Sequence, residues 1–162
     1  MTEISERTYV YTTYIATTPQ KVFDALTTPE FTMQYWGGAE IRSEWTVGSS
    51  VEAYHPDHDD FIGEVLAVEP PNKLSYTFTG KAEREEGRPA TVVEFDISAF
   101  GDEVVKLTVV HSGFTADERG EQDVRDIGHG WPAIFAALKT LLETGSPLPS
   151  PGHFAPRTPV RA

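Results

Sequence analysis

The chain has no cysteine and only two methionines among its 162 residues. The absence of cysteine excludes disulfide bonds, thiolate catalysis and cysteine-based metal sites. No window approaches the ~18 consecutive apolar residues of a membrane-spanning helix, and the first residues lack the basic and apolar regions of a secretion signal. We therefore predict a cytoplasmic protein that has no membrane partner.

Positive charge is also scarce, since 13 Lys and Arg face 25 Asp and Glu for a formal net charge of -12. Such a chain repels phosphate backbones, so nucleic acid is not an expected partner. The sequence contains no Gly-x-Ser-x-Gly elbow, no glycine-rich phosphate loop and no dinucleotide fingerprint. We predict no cofactor, and whether the chain is an enzyme stays open because no catalytic motif is evident.

The dominant feature that is present is an amphipathic segment at residues 128–145. Its large apolar residues fall on one face of a helix: Trp131, Ile134, Phe135, Leu138, Leu141 and Leu142. Gly145 supplies a C-terminal stop. Pro132 cannot donate a backbone hydrogen bond, so either the helix begins near Trp131 or it continues from residues 120–127 through a kink. We favour the longer helix.

Most of the preceding chain is typical of β-structure. The pattern predicts one strand near residues 8–15, short helices that start near Pro19 and Pro29, and then about six strands joined by short polar turns. Residues 80–89 are rich in charge and are expected to form a solvated loop. The order predicts an α+β fold in which a curved antiparallel sheet of about six to seven strands wraps around the long C-terminal helix.

Four stretches in the same order are similar to one known family. They are residues 18–27, 63–78, 91–114 and 130–145. They resemble homologues of the activator of the heat-shock-chaperone ATPase, which belong to the START, polyketide cyclase and birch-pollen-allergen (SRPBCC) superfamily. The resemblance implies a helix-grip domain over residues 1–145, with a cavity between sheet and helix. It carries over no catalytic residue, because members bind or process unrelated ligands.

Beyond that domain, residues 146–162 contain five prolines and no periodic apolar pattern. Such a composition cannot bury enough apolar surface to fold independently. We therefore predict an extended or disordered tail.

The candidate ligand-binding residues are mostly aromatic and lie on the facing surfaces of helix and sheet. They are Tyr35, Trp36, Trp45, Tyr54, His55, Tyr76, Phe78, Phe95, Val109, His111, Trp131 and Phe135. Ordinary core packing would produce the same pattern. Buried tyrosine and tryptophan need hydrogen-bond partners, however, so several of them on one surface favour a cavity with a few polar groups.

Two histidines are candidate acid–base residues. His111 continues the apolar face of Leu107 and Val109, where an imidazole could orient a ligand or move a proton near neutral pH. His55 lies at the end of a predicted strand and could reach the same space. A histidine that is simply hydrogen-bonded to a loop is the alternative. The segment 55–60 holds metal-ligand residue types, but no helix fixes their spacing, and we predict no metal site.

Three functions remain open on this sequence. The preferred one is the binding of a small hydrophobic or aromatic molecule in a cavity between the sheet and the C-terminal helix. The second is a cyclase-like or hydrolase-like enzyme that uses a cavity histidine as acid or base. The third is a protein-interaction module, either co-chaperone-like or a homodimer.

Overall fold

The computed structural model of the chain describes residues 6–149, except for the side chains of Glu6, His58 and Asp59. The strands form one antiparallel sheet in the order β1-β7-β6-β5-β4-β3-β2. They are β1 (Glu6–Ile15), β2 (Glu40–Ser43), β3 (Ser50–His55), β4 (His58–Glu69), β5 (Lys73–Gly80), β6 (Thr91–Gly101) and β7 (Val104–Thr115). Each strand from β2 to β7 lies beside the next as an antiparallel neighbour. The longest connection between β3 and β7 is the one from β5 to β6, which spans residues 81–90.

Four helices accompany the sheet in the described residues: α1 (Pro19–Thr27), α2 (Pro29–Tyr35), α3 (Lys81–Glu85) and α4 (Glu118–Thr144). The Thr18 hydroxyl caps α1 by accepting a hydrogen bond from the backbone N–H of Lys21 at 3.3 Å. Pro19 and Pro29 occupy the starts of α1 and α2, where a missing N–H costs nothing. The architecture confirms the predicted helix-grip fold, with a curved sheet, two short helices after the first strand and a long C-terminal helix.

Helix α4 runs without interruption through Pro132, which confirms the longer of the two predicted helices. Asp117 caps its start by accepting from the backbone N–H of Gly120 at 2.9 Å. Gly145 ends it in the left-handed conformation, with φ of 91°. The predicted apolar stripe is buried against the sheet at Trp131, Ile134, Phe135, Leu138 and Leu141.

Strand alternation decides which residues reach the helix. In β6, Val93, Phe95 and Ile97 are buried, whereas Glu94 and Asp96 between them are half-buried on the outer face. Successive side chains of a strand point to opposite faces, so one face meets α4 and the other meets solvent. Exposed apolar residues on the outer face include Val10, Tyr14 and Phe100.

Two local expectations are corrected. The segment 80–89 contains helix α3, none of whose residues is buried, so no apolar period was available to indicate it. The polar composition of residues 56–60 predicts a loop over that whole range, but the loop is shorter, because β4 already begins at His58 and pairs there with His55. The backbone hydrogen bonds of a hairpin tolerate polar side chains, which is why composition alone extended the loop.

The described residues end at Pro149, and residues 146–149 form neither helix nor strand. The rest of the predicted tail lies outside the described residues, so the tail stays a prediction. None of the helices between residues 6 and 149 is both long enough and apolar enough to cross a membrane.

Gly120 gives a direct test of how α4 meets the sheet. A Cβ added there would lie 1.7 Å from the carbonyl oxygen of Thr115, whereas a Cβ at Gly128 of the same helix would meet only the Tyr9 ring at 3.4 Å. We expect Gly120→Ala to lower the free energy of unfolding by about 1–3 kcal/mol through overpacking. Gly128→Ala should leave it unchanged or raise it by up to about 1 kcal/mol through helix propensity.

Urea denaturation of the two variants measures this difference. Equal stabilities for Gly120→Ala and Gly128→Ala would show that the first turn of α4 does not pack against the end of β7 as described.

Candidate functional site

A chain of hydrogen bonds connects α4 to three strands of the sheet. The indole Nε1 of Trp131 donates to Nδ1 of His111 at 3.1 Å. On the other side of the imidazole, Nε2 lies 2.8 Å from the Thr91 hydroxyl oxygen. That hydroxyl donates to the backbone carbonyl of Phe78 at 2.9 Å. The chain therefore runs from the helix through β7 and β6 to β5.

These partners determine the protonation of His111. An indole nitrogen can only donate, so Nδ1 must be the acceptor. Thr91 has one hydroxyl proton and gives it to the Phe78 carbonyl, so Nε2 must carry the imidazole proton and donate it to Thr91. His111 is therefore the neutral Nε2–H tautomer. Burial lowers its pKa to about 3, because the charged form loses its hydration.

The same network limits what His111 can do chemically. Its side chain is 1% exposed, and both ring nitrogens are engaged. A general base needs a free lone pair within hydrogen-bond distance of the substrate proton. The lone pair of Nδ1 already accepts from Trp131, so this arrangement suits a structural role rather than proton transfer.

A cavity of about 160 Å³ lies beside this network, between strands β5–β7 and the N-terminal half of α4. Its wall combines aromatic and aliphatic groups with charged ones. The lining residues are Phe78, Thr79, Gly80, Glu83, Arg88, Pro89, Thr91, His111, Gly113, Phe114, Thr115, Asp123, Asp126 and Ile127. Within it, His111 and Phe114 are buried, whereas the charged residues are half-buried.

Ion pairs hold the segment 80–90, which contains α3, against α4. Nη2 of Arg88 contacts a carboxylate oxygen of Asp123 at 3.1 Å, with both side chains less than one-fifth exposed. Arg119 contacts Glu86 at 3.1 Å and Asp123 at 3.5 Å. Nη1 of Arg88 is buried and has no hydrogen-bond partner among the described residues. Native proteins rarely leave such a donor unpaired.

Among the residues predicted to bind ligand, Phe78 and His111 line this cavity. Another group forms a cluster of buried rings at the middle of α4, next to the cavity: Trp36, Tyr76, Phe95, Trp131 and Phe135. Tyr35 and Val109 are buried in the same core. Trp131 therefore does not line the cavity, but its indole N–H donates to His111, which does.

The other predicted residues lie towards the β2–β3 end of the sheet. Trp45 donates from its indole to the carbonyl of Thr27 at 2.9 Å. Tyr54 was predicted to face the helix, but strand alternation places it on the outer face, where the Arg42 guanidinium lies 4.2 Å from its ring centre. His55 is half-buried and accepts from the backbone N–H of Asp57 at 3.0 Å. None of the three lines the cavity described above.

Sequence reasoning missed the charged wall, which includes Arg88 and Asp123. Part of it could have been found by extending the stripe of α4 backwards from Trp131 in helical steps, which reaches Ile127 and Asp123 on the same face. No local signal identified Arg88, because the segment that carries it has no apolar period and is placed only by long-range ion pairs.

Metal ligation has little support in the described part of the chain. No group of three or more His, Asp or Glu side chains described there is arranged to hold a metal ion. Two members of the segment 55–60, His58 and Asp59, have side chains outside the description.

The fold and the position of the cavity define a helix-grip protein of the SRPBCC superfamily. More narrowly, the chain belongs to the family of activator of Hsp90 ATPase homolog 1-like proteins, whose model matches residues 16–143. A comparison with curated proteins finds no match.

Several solved structures share the fold. CalU16 from Micromonospora echinospora is 22% identical with a TM-score of 0.71, over 90% of this chain and 78% of that protein. Protein MLL2253 from Mesorhizobium loti is 29% identical with a TM-score of 0.69, over 84% of this chain and 96% of its own. The Aha1 dimer from Colwellia psychrerythraea is 18% identical with a TM-score of 0.68, over 86% and 98%. At such identities the first and third show the fold alone.

The lowered pKa of His111 predicts a specific acid dependence of stability. Because the folded-state pKa of about 3 lies below the unfolded value of ~6.5, the unfolded state binds more protons between these limits. The contribution of neutral His111 to the free energy of unfolding is fully present above the unfolded pKa of ~6.5. As the pH falls towards 3, it should decrease by up to about 1.4 kcal/mol per pH unit.

Urea titrations of the wild type and His111→Asn between pH 4 and 8 measure the contribution, with His129→Asn on the exposed side of α4 as the matched control. The slope of the free energy of unfolding against pH should be smaller in His111→Asn than in the wild type, and should be unchanged in His129→Asn. Identical slopes in all three proteins would show that His111 is not held in its neutral form.

Proposed function

We propose that this chain binds a small hydrophobic or aromatic molecule in the cavity between strands β5–β7 and the N-terminal half of α4. The observation that supports the proposal is the cavity itself, with a volume of about 160 Å³ and the side chains of Phe78, Phe114 and Ile127 in its wall. Ligand sites are usually concave and combine apolar surface with polar groups that fix the orientation of the ligand. This wall supplies both kinds of group, and eight of its fourteen residues are polar or charged.

The volume favours a compact ligand. An engineered apolar cavity of ~150 Å³ is large enough to bind benzene. A space of similar size here therefore accommodates about one aromatic ring. The rings of His111 and Phe114, whose centroids are 4.6 Å apart, both belong to the wall and would lie beside it.

The enzyme alternative has less support than binding. His111 has no free lone pair, and the imidazole of His55 accepts from a backbone N–H of its own turn. Neither histidine is therefore arranged as a general base.

Protein interaction stays an alternative, and so does a homodimer. The Aha1 structure from Colwellia psychrerythraea is a dimer, but that is a property of the Colwellia protein. The cytoplasmic location also stays a prediction.

A cavity-filling substitution tests the binding proposal. Ile127→Trp enlarges a half-buried side chain of the wall and should weaken the binding of single-ring aromatics such as toluene by about tenfold or more, which is ~1.4 kcal/mol. Ile62→Trp, at an exposed site on the outer face of β4, should leave affinity unchanged.

Affinity is measured by titrating ¹⁵N-labelled protein and following the indole N–H signal of Trp131, which is hydrogen-bonded to the cavity residue His111. If toluene shifts no cavity signal in the wild type, or binds equally well to Ile127→Trp, the proposed site is wrong.

A further inference from the structure

We propose that residues 150–162 of this chain dock on the outer face of its own sheet, against an exposed patch formed by Val10, Tyr14 and Phe100. This face points away from α4 and from the cavity, so the inference does not rest on the proposed function. Three observations support it: the exposed aromatic pair in the patch, the place where the chain leaves α4, and the opposite charges of the face and of segment 150–162.

The docking surface lies on strands β1 and β6, which flank β7. Val10 is 57% exposed, Tyr14 43% and Phe100 64%. The rings of Tyr14 and Phe100 lie against each other, with centroids 4.8 Å apart. Apolar side chains that are scattered singly over a surface need no explanation, but a group of them is typical of an interaction surface.

The chain leaves α4 beside this patch. Glu143, in the last turn of α4, accepts a hydrogen bond from the backbone N–H of Ala16 at 2.8 Å. One turn earlier, Nζ of Lys139 donates to the backbone carbonyl of Tyr14 at 2.7 Å. Because β1 is an edge strand, a segment that follows α4 has only this one strand to pass around to reach the outer face.

Segment 150–162 is long enough for this path. Extended proline-rich chain rises about 3.1 Å per residue, so the segment spans up to about 40 Å. The patch is shorter, since the four residue steps from Val10 to Tyr14 along β1 cover about 13 Å. The segment can therefore pass the edge of the sheet and still cover the patch.

A second group of exposed apolar residues is less suited to this segment. Tyr54, Ile62 and Leu66 are exposed on β3 and β4. These strands lie near the opposite end of the strand order from β1. The ring of Tyr54 is also already covered by the guanidinium of Arg42 at 4.2 Å. Position therefore favours the patch on β1 and β6.

The segment and the face carry opposite charges. All 25 acidic residues of the chain precede residue 150, whereas segment 150–162 carries Arg157 and Arg161. The charged groups of the face and of the hairpin that ends it include four carboxylates and two ammonium groups: Glu94, Asp96, Asp102, Glu103, Lys73 and Lys106. Exposed ion pairs are individually weak, so the two arginines direct the segment to this face while apolar contact holds it there.

The sequence of the segment also suits an aromatic surface. Proline-rich chain already populates the polyproline II conformation before it binds, so it loses little entropy on docking against aromatic rings. Pro156 and Pro159 have the Pro-x-x-P spacing. With three residues per turn, they lie on the same side of a polyproline II helix. We therefore expect both prolines to pack against Tyr14 and Phe100.

A spin label in the segment tests the proposal, because the chain has no cysteine that would compete for the label. Ala155→Cys introduces one thiol, and a nitroxide attached to it broadens the NMR signals of nearby amides in the full-length ¹⁵N-labelled chain. We expect stronger broadening at Val10 and Phe100 than at Ile62 and Leu66, which are the matched exposed residues on β4. Equal broadening of the two pairs would overturn the proposal.

Removal of the aromatic pair should release the segment. A short flexible tether gives an effective concentration of about 1 mM, so a contact with a Kd of about 1 mM is formed about half of the time. Tyr14→Ser combined with Phe100→Ser should weaken this contact about tenfold and so reduce the broadening at Val10 about fivefold. Ile62→Ser combined with Leu66→Ser is the matched control and should leave it unchanged.

Substitutions in the segment itself give the same test without altering the folded sheet. Arg157→Gln combined with Arg161→Gln should reduce the broadening at Val10 by a smaller factor, about twofold, because exposed ion pairs are weak. Unchanged broadening at Val10 both in this variant and after removal of the aromatic pair would show that the segment does not dock on this patch.

A mixed sample identifies which chain supplies the segment. It combines spin-labelled chains that carry no ¹⁵N with ¹⁵N-labelled wild-type chains. We expect no broadening at Val10 in this mixture, because the docked segment belongs to the same chain. Broadening as strong as in the first experiment would show that the segment comes from a second copy, and the intramolecular contact would be refuted.

Discussion

The structure depends on the hydrogen-bonded chain from Trp131 through His111 and Thr91 to the carbonyl of Phe78. Apolar burial holds α4 on the sheet, but such burial is non-directional and would allow the helix to rotate or slide. A buried polar network is favourable only when every donor meets its acceptor. The chain therefore fixes one orientation of the helix relative to β5, β6 and β7, and it forms one side of the cavity.

The two halves of α4 carry different side chains on the face that meets the sheet. The C-terminal half carries large apolar residues such as Phe135 and Leu138, which are buried in the core. The N-terminal half replaces them with Gly120, Asp123 and Ile127, so it has less volume to insert between helix and sheet. The cavity lies at this half, where Arg88 and the segment 80–90 close its side through ion pairs rather than apolar packing.

Membership of the family accounts for the scaffold but leaves the ligand undetermined. The helix-grip fold is shared with proteins that are 18–29% identical to this chain, and a fold at such distance supports many different sites. The residues that give this cavity its chemical character come from a short charged segment and from the first turns of α4.

The sequence by itself determined the buried stripe of α4 and the position of His111 on the inner face of β7, because periodicity is a local property of helices and strands. Its resemblance to a known family implied the helix-grip fold. It also indicated Phe78 as a residue facing the interior. Only the tertiary structure decided that His111 is neutral and fully engaged, that Trp131 lies behind the cavity rather than in its wall, and that Arg88 meets Asp123. Each of these depends on contacts between residues distant in sequence, whose geometry follows from the curvature of the sheet and the placement of the helix upon it.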